Sequence, residues 1–164
     1  MNKEKSSGND ASSQEIKIVT RNRKVHQRFS ILESLEAGIS LYGHEVKSLR
    51  SGKASIEEGL VRLEKGEIFL FNVHIPPYPH LSHVNYLPTR TRKLLMHSKE
   101  IERLNSQVQS KGLTLVPLEL YFKKGLAKVS IGLAKGKKGR DRREEMKKRE
   151  TERTIKRNFS IRIR

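Results

Sequence analysis

The feature that most constrains this chain is its punctuation. Between residues 21 and 134 the apolar residues fall in short runs, each closed by a turn signal, so the segment reads as mostly β. "RFSILESLEAGISLYG" is expected to form two strands around Glu36-Ala37-Gly38. In "GHEVKSLRSG" the apolar pair Val46 and Leu49 stands at i, i+3 and Gly52 stands where a helix stops, which predicts one short helix. "GLVRLE" and "EIFLFNVHI" flank Lys65-Gly66, a two-residue hairpin turn with Gly where positive φ is needed. "PPYPHLSHVNYLP" holds four prolines and must leave the sheet. Ile101, Leu104 and Val108 recur at helical spacing between Ser98 and Gly112, which can cap the two ends. A last hairpin, "GLTLVPLELYF" and "LAKVSIGLAK", turns at Lys123-Lys124-Gly125; its second strand puts Ala127, Val129, Ile131 and Leu133 on one face and Lys128 and Ser130 on the other.

Several short antiparallel strands with one good helix predict a mainly β fold with flanking helices, a small closed or nearly closed barrel, because closure removes exposed edges. Three stretches divide the chain. Residues 1–20 are rich in Ser, Asn and Asp, show no periodicity before Ile16, and read as a flexible leader. Residues 21–134 form the barrel domain. Residues 135–164 carry 14 basic and 5 acidic groups, more than half of the chain's net +17. Between Arg140 and Arg157 the only sizeable apolar residues are Met146 and Ile155, so a helix there has no stripe to dock. Glu144 with Lys148, Glu145 with Arg149 and Glu152 with Lys156 nonetheless favour helix by roughly 0.2–0.5 kcal/mol per pair. The tail is expected to be disordered when free and helical on contact with phosphate.

A charge of +17 points to a partner with a dense array of negative charge, and nucleic acid fits best. No apolar run approaches a membrane span, no apolar face runs through the basic part, and "MNKEKSSGNDASSQ" lacks a signal-peptide core, so a cytoplasmic protein is expected. With no Cys there is neither a disulfide framework nor a thiolate metal site. No Walker loop, GxGxxG or HExxH occurs, and an enzyme is not expected. Glu57-Glu58 at a hairpin entrance reads as a solvated turn rather than an acid pair. His74, His80 and His83 read as part of a proline-rich surface loop rather than a metal site, and no cofactor is called for.

Three features remain as RNA-binding candidates. Thr89-Arg90-Thr91-Arg92-Lys93 packs three cations into five residues, a density suited to phosphate, although a solvated charged face would look the same. Lys128 lies on the polar face of an apolar strand. Glu36, a carboxylate in cationic surroundings, can accept hydrogen bonds from base amino groups. A ribosomal or general RNA-coating protein would explain the charge without needing Glu36.

The blocks "NRK" at 22, "EAGISLYGHEVKSLRSGKA" at 36–54, "TRTRKLL" at 89–95, "GLTLVPLELYFKKGLAKVSIGLAKGKK" at 112–138 and the "DRRE" and "KKRE" of the tail, in this order, resemble the small protein B (SmpB) family of SsrA-binding proteins. The resemblance implies an oligonucleotide-binding-type barrel that holds the transfer-RNA-like domain of transfer-messenger RNA. It also implies delivery of that RNA, with elongation factor Tu, to ribosomes stalled without a stop codon, for trans-translation. Family RNA contacts fall on Glu36, Leu95 and Lys128, beside the cations Arg90, Arg92 and Lys93 noted above. The tail that enters the empty messenger channel falls on Gly136, Lys137, Asp141, Arg142 and Arg143, and Lys138 and Arg140 between them are expected to bind the ribosome too. Arg140 stands where many relatives carry an aromatic ring or His, so a stacking contact there is either replaced by guanidinium stacking or lost. Leu95 by itself reads as core. A monomer is expected.

Overall fold

The computed structural model describes residues 16–79 and 86–162. Seven strands run β1 (Ile16–Arg21), β2 (Phe29–Ile39), β3 (Leu60–Glu64), β4 (Glu67–Phe71), β5 (Arg92–Leu95), β6 (Thr114–Lys123) and β7 (Leu126–Gly136). Six of them pair in the order β6-β3-β4-β5-β2-β7, and β7 pairs back onto β6, so the sheet closes on itself; β1 lies against β6 outside that ring. Every pairing is antiparallel. The expected barrel is what forms.

Alternation dictates the core. In β4 Ile68 and Leu70 point inward, in β5 Leu94, in β7 Val129 and Ile131, each at most 1% exposed. Helices α2 (Gly43–Arg50) and α3 (Ser98–Lys111) add Leu49 and Leu104 to the same cluster. Burial of one such side chain stabilises by about 1.5–3 kcal/mol, so this cluster carries the fold. Both predicted hairpins turn with two consecutive left-handed residues, Lys65-Gly66 and Lys124-Gly125, the geometry that matches strand twist. Pro117 sits in β6 where the register slips before Glu119, a bulge that absorbs its missing N–H.

Four expectations change. The two strands around Glu36-Ala37-Gly38 are one eleven-residue strand, because Glu36 pairs with Ser130 while Gly38 pairs with Lys128 on one side and Leu95 on the other. The irregularity lies earlier, between Ile31 and Glu33, and leaves Leu32 exposed. The leader does not extend to residue 20, since Ile16–Arg21 pairs along Lys123–Glu119 of β6; residues 1–15 lie outside the described chain. Arg92 and Lys93, read as the end of the Thr89–Lys93 cation cluster, open a strand, Arg92–Leu95, between β4 and β2. At α3 the N-cap is His97 rather than Ser98, with the Glu100 carboxylate accepting from the His97 N–H at 3.1 Å; Gly112 caps the other end at φ +58° as expected.

A one-turn helix α1 (Val25–Arg28) joins β1 to β2 and anchors the exit of the barrel. The Lys137 N–H donates to Arg28 O at 2.9 Å and the Lys137 ammonium to His26 O at 2.8 Å. Beyond it α4 (Gly139–Arg162) runs as a single helix, with Met146 and Ile155 exposed. Among the described residues no helix is long and apolar enough to cross a membrane.

Candidate RNA-binding face and its buried support

Strand register brings together the positions that the resemblance implies as RNA contacts. Leu95 of β5, Gly38 of β2, Lys128 of β7 and Tyr121 of β6 stand in one row across four strands, and Glu36 lies two residues along β2 from Gly38 on the same face. The Glu36 carboxylate accepts from the Tyr121 hydroxyl at 2.7 Å and the Lys123 ammonium at 3.0 Å, and its other oxygen is 3.5 Å from the Lys128 ammonium. The Tyr121 hydroxyl bond first, and then the Lys123 ammonium, hold Glu36 below the usual carboxylate range. Burial, helped by Glu36, pushes the Tyr121 hydroxyl up and keeps it a donor. The result is a fixed carboxylate beside two ammonium groups on the outer wall, able to accept from a base edge while its neighbours meet phosphate.

Leu95 is not core. It is 54% exposed, because the strand alternation that buries Leu94 turns Leu95 outward. A Cβ at Gly38 would stand 3.2 Å from the Leu95 Cβ, so only glycine lets the leucine sit this low on the sheet. Sequence reasoning missed Gly38 and Tyr121. Gly38 was hidden inside a presumed turn; Tyr121 carries no signal until the register is known.

The run from Arg90 to Lys93 splits three ways. Arg92 is fully buried, and all five of its N–H donors are used by protein oxygens: Glu45, Val73, Arg90, Tyr86 and Pro88 at 2.7–3.1 Å. No donor is left for phosphate, which removes Arg92 from the contact set. Arg90 pairs with the same buried Glu45 and covers the Tyr42 ring, its guanidinium carbon 4.1 Å from the ring centroid. Burial pushes the Glu45 carboxyl up, but the Arg90 and Tyr42 hydrogen bonds and the Arg92 charge outweigh it and hold it below the usual range. Lys93 alone is open to solvent, paired with Glu67. This network ties α2 and the segment ending at Arg90 to β5, which carries Leu95.

Of the tail positions, Gly136 ends β7 and pairs with Phe29, Lys137 is held by α1, and Lys138 and Arg143 are exposed. The side chains of Arg140, Asp141 and Arg142 lie outside the described residues. So do His80 and His83, while His74 bridges Ser55 through the backbone. Among the described residues no group of three His, Asp or Glu is placed to hold a metal ion. Glu57 is engaged by Lys24 at 2.6 Å, as a surface turn rather than an acid pair.

A family model described as "SmpB protein" matches residues 19–161. The SsrA-binding protein of Pelotomaculum thermopropionicum is 50% identical over 149 residues, covering 91% of this chain and 97% of that protein. That of Microcystis aeruginosa is 52% identical over 141 residues, 85% of this chain and 92% of the other. A solved structure described as "tmRNA-SmpB: a journey to the center of the bacterial ribosome" superposes with a TM-score of 0.61 at 50% identity, covering 73% of this chain and 85% of that one. The strand ring and these matches along nearly the whole chain agree, and the chain belongs to the SmpB family of SsrA-binding proteins.

Proposed function

We propose that this protein binds the transfer-RNA-like domain of transfer-messenger RNA, the SsrA RNA, and delivers it to stalled ribosomes for trans-translation, by binding and without catalysis. The observation that carries the reading is the assembly of Glu36, Leu95 and Lys128 from three strands onto one exposed face, with a carboxylate fixed among cations. A protein that merely coats RNA needs cations and gains nothing from a carboxylate locked by a tyrosine. Lys93 flanks the face; Arg90 and Arg92 act behind it, positioning α2 and β5 through Glu45.

The tail is the second half of the mechanism. Among the described side chains of α4 the apolar Met146 and Ile155 are both exposed, so phosphate rather than the barrel secures it as a helix. Lys138, Arg140, Asp141, Arg142 and Arg143 follow directly on the Gly136-Lys137 anchor, so the messenger channel would receive a helix aimed by α1. Elongation factor Tu joins through the shared RNA, in the cytoplasm, with the protein acting as a monomer.

Truncation after Lys138 tests both halves. The truncated protein should bind the transfer-RNA-like domain within about twofold of the full chain and should still prefer it over bulk RNA at raised salt, yet rescue no stalled ribosomes. Rescue by the truncated protein would refute the role of the tail; equal loss of both RNAs with salt would favour the coating reading.

A further inference from the structure

Asn22, the residue after β1, is only 8% exposed and clasps the bulge of β6: its N–H donates to Leu118 O at 2.8 Å and its Nδ2 to Pro117 O at 3.2 Å. A carbonyl can only accept, so the group on Pro117 is the amide nitrogen and Oδ1 is fixed as the other atom. That oxygen is buried and accepts no hydrogen bond from the protein. A buried acceptor left open calls for a reason, and Asn22 lines a cavity of about 120 Å³. The buried Asn22, Val25 and Val116 form its floor, while the half-buried Glu57 and the exposed Glu58 and Leu60 stand at its mouth. Gly59 makes this wall possible. A Cβ there would stand 2.8 Å from Pro117 Cγ and 2.9 Å from Ile56 O, so only glycine lets the turn carrying both carboxylates lie against the strand that holds Asn22. Lys24 engages Glu57 at 2.6 Å, whereas Glu58 makes no ion pair among the described residues.

We propose that this cavity binds a linear alkyl diamine, with one ammonium donating to Asn22 Oδ1, the methylenes over Val25 and Val116, and the second ammonium on Glu58 at the mouth. No residue of the site belongs to the row through Leu95, Gly38 and Lys128, and the inference does not depend on RNA binding. Two carboxylates and an open carboxamide oxygen disfavour phosphate, the group that the rest of a +17 chain attracts. A hard metal ion takes about six or more oxygens and gains nothing from apolar walls. An alkyl diamine uses both features, with donors at its ends and a stem that buries against valine. Lys24 already shows the same chemistry at the rim, its ammonium on Glu57. Lys24 and Arg28 balance the two carboxylates of the lining, and repulsion from cations elsewhere is screened within about 8–10 Å at physiological salt, so the open acceptors decide.

The test follows the Asn22 side-chain amide of the full chain by NMR while the four-carbon diamine putrescine is added at constant ionic strength. That resonance should move and saturate. Glu58→Gln, at an exposed turn, should weaken putrescine roughly two- to fivefold, the worth of one exposed ion pair, and Glu58→Lys should abolish the shift without changing the thermal midpoint. n-Butylamine, with a single ammonium, should move the same resonance and be indifferent to Glu58→Gln. Nα-acetyl-lysine amide stands for a lysine of another protein and should bind more weakly than putrescine. The proposal is overturned if putrescine leaves the Asn22 amide unmoved, which would give the cavity to water. It is also overturned if both Glu58 variants bind putrescine as the parent does, or if the lysine amide binds more tightly, which would give the cavity to a protein partner.

Discussion

Two carboxylates, Glu36 and Glu45, sit less than ten residues apart in sequence, each among cations and each hydrogen-bonded by a tyrosine hydroxyl, yet they do opposite work. Glu45 is fully buried on α2 and its partners Arg90 and Arg92 are spent on it. Glu36 is about one-third exposed on β2, and its partners Lys123 and Lys128 keep similar exposure. A buried guanidinium with every donor used can only hold structure; a half-exposed ammonium on a sheet face can exchange its partner for phosphate. Density of charge along the chain therefore says little about availability, which is decided by the phase of the strand and the depth of the partner.

The comparison breaks first at Arg92. Arg92→Ala leaves the Glu45 charge buried beside a void with only Arg90 as its ion partner, and removes five hydrogen bonds to protein oxygens, so unfolding free energy should drop by about 3–5 kcal/mol in a urea titration. A loss below 1 kcal/mol would mean that the network is wet and that Arg92 is free for RNA after all.

Acid should separate the two carboxylates next. Both are held below their ordinary value of 4.5, so each contributes stability that is present above about pH 4.5 and is lost as pH falls through its folded value. Glu45, buried with two arginines, should dominate that loss. Glu45→Gln should be less stable at neutral pH and flatter between pH 5 and about 2 than the parent, whereas Glu36→Gln should flatten the acid limb far less. Parallel acid limbs in parent and Glu45→Gln would contradict the assignment.

On RNA the order reverses. Glu36→Ala should weaken binding of the transfer-RNA-like domain by about 1.5–3 kcal/mol in gel-shift titration while leaving the thermal midpoint nearly unchanged. The smallest effect belongs to Lys93→Ala, whose pair with Glu67 lies in solvent: stability should move by less than about 1 kcal/mol, and RNA affinity only slightly.

Much of this was legible beforehand and the rest was not, for physical reasons. Alternation and Gly-containing turns exposed both hairpins, because they are local rules that tertiary contacts rarely override. β5 was hidden because Arg92 and Lys93 read as surface cations for phosphate or solvent, and a buried arginine is recognised only once Glu45, 47 positions earlier in the chain, is known to face it. Leu95 was hidden by the opposite error, an apolar residue assigned to the core although its strand phase is outward; only family resemblance placed it on the RNA face. Glu36 and Lys128 could be singled out as misfits, but their meeting depends on β2 and β7 pairing in one register, which no local pattern states.

The central claim, that the row through Leu95, Gly38 and Lys128 is the RNA surface while the Glu45 network lies behind it, meets its most direct test in the salt dependence of RNA affinity. For Lys128→Ala at native thermal stability, the slope of log affinity against log salt should fall by roughly 0.7–0.9, the value of one phosphate contact, with affinity reduced at every salt concentration. An unchanged slope and affinity for Lys128→Ala would place the RNA elsewhere on the barrel and contradict the account.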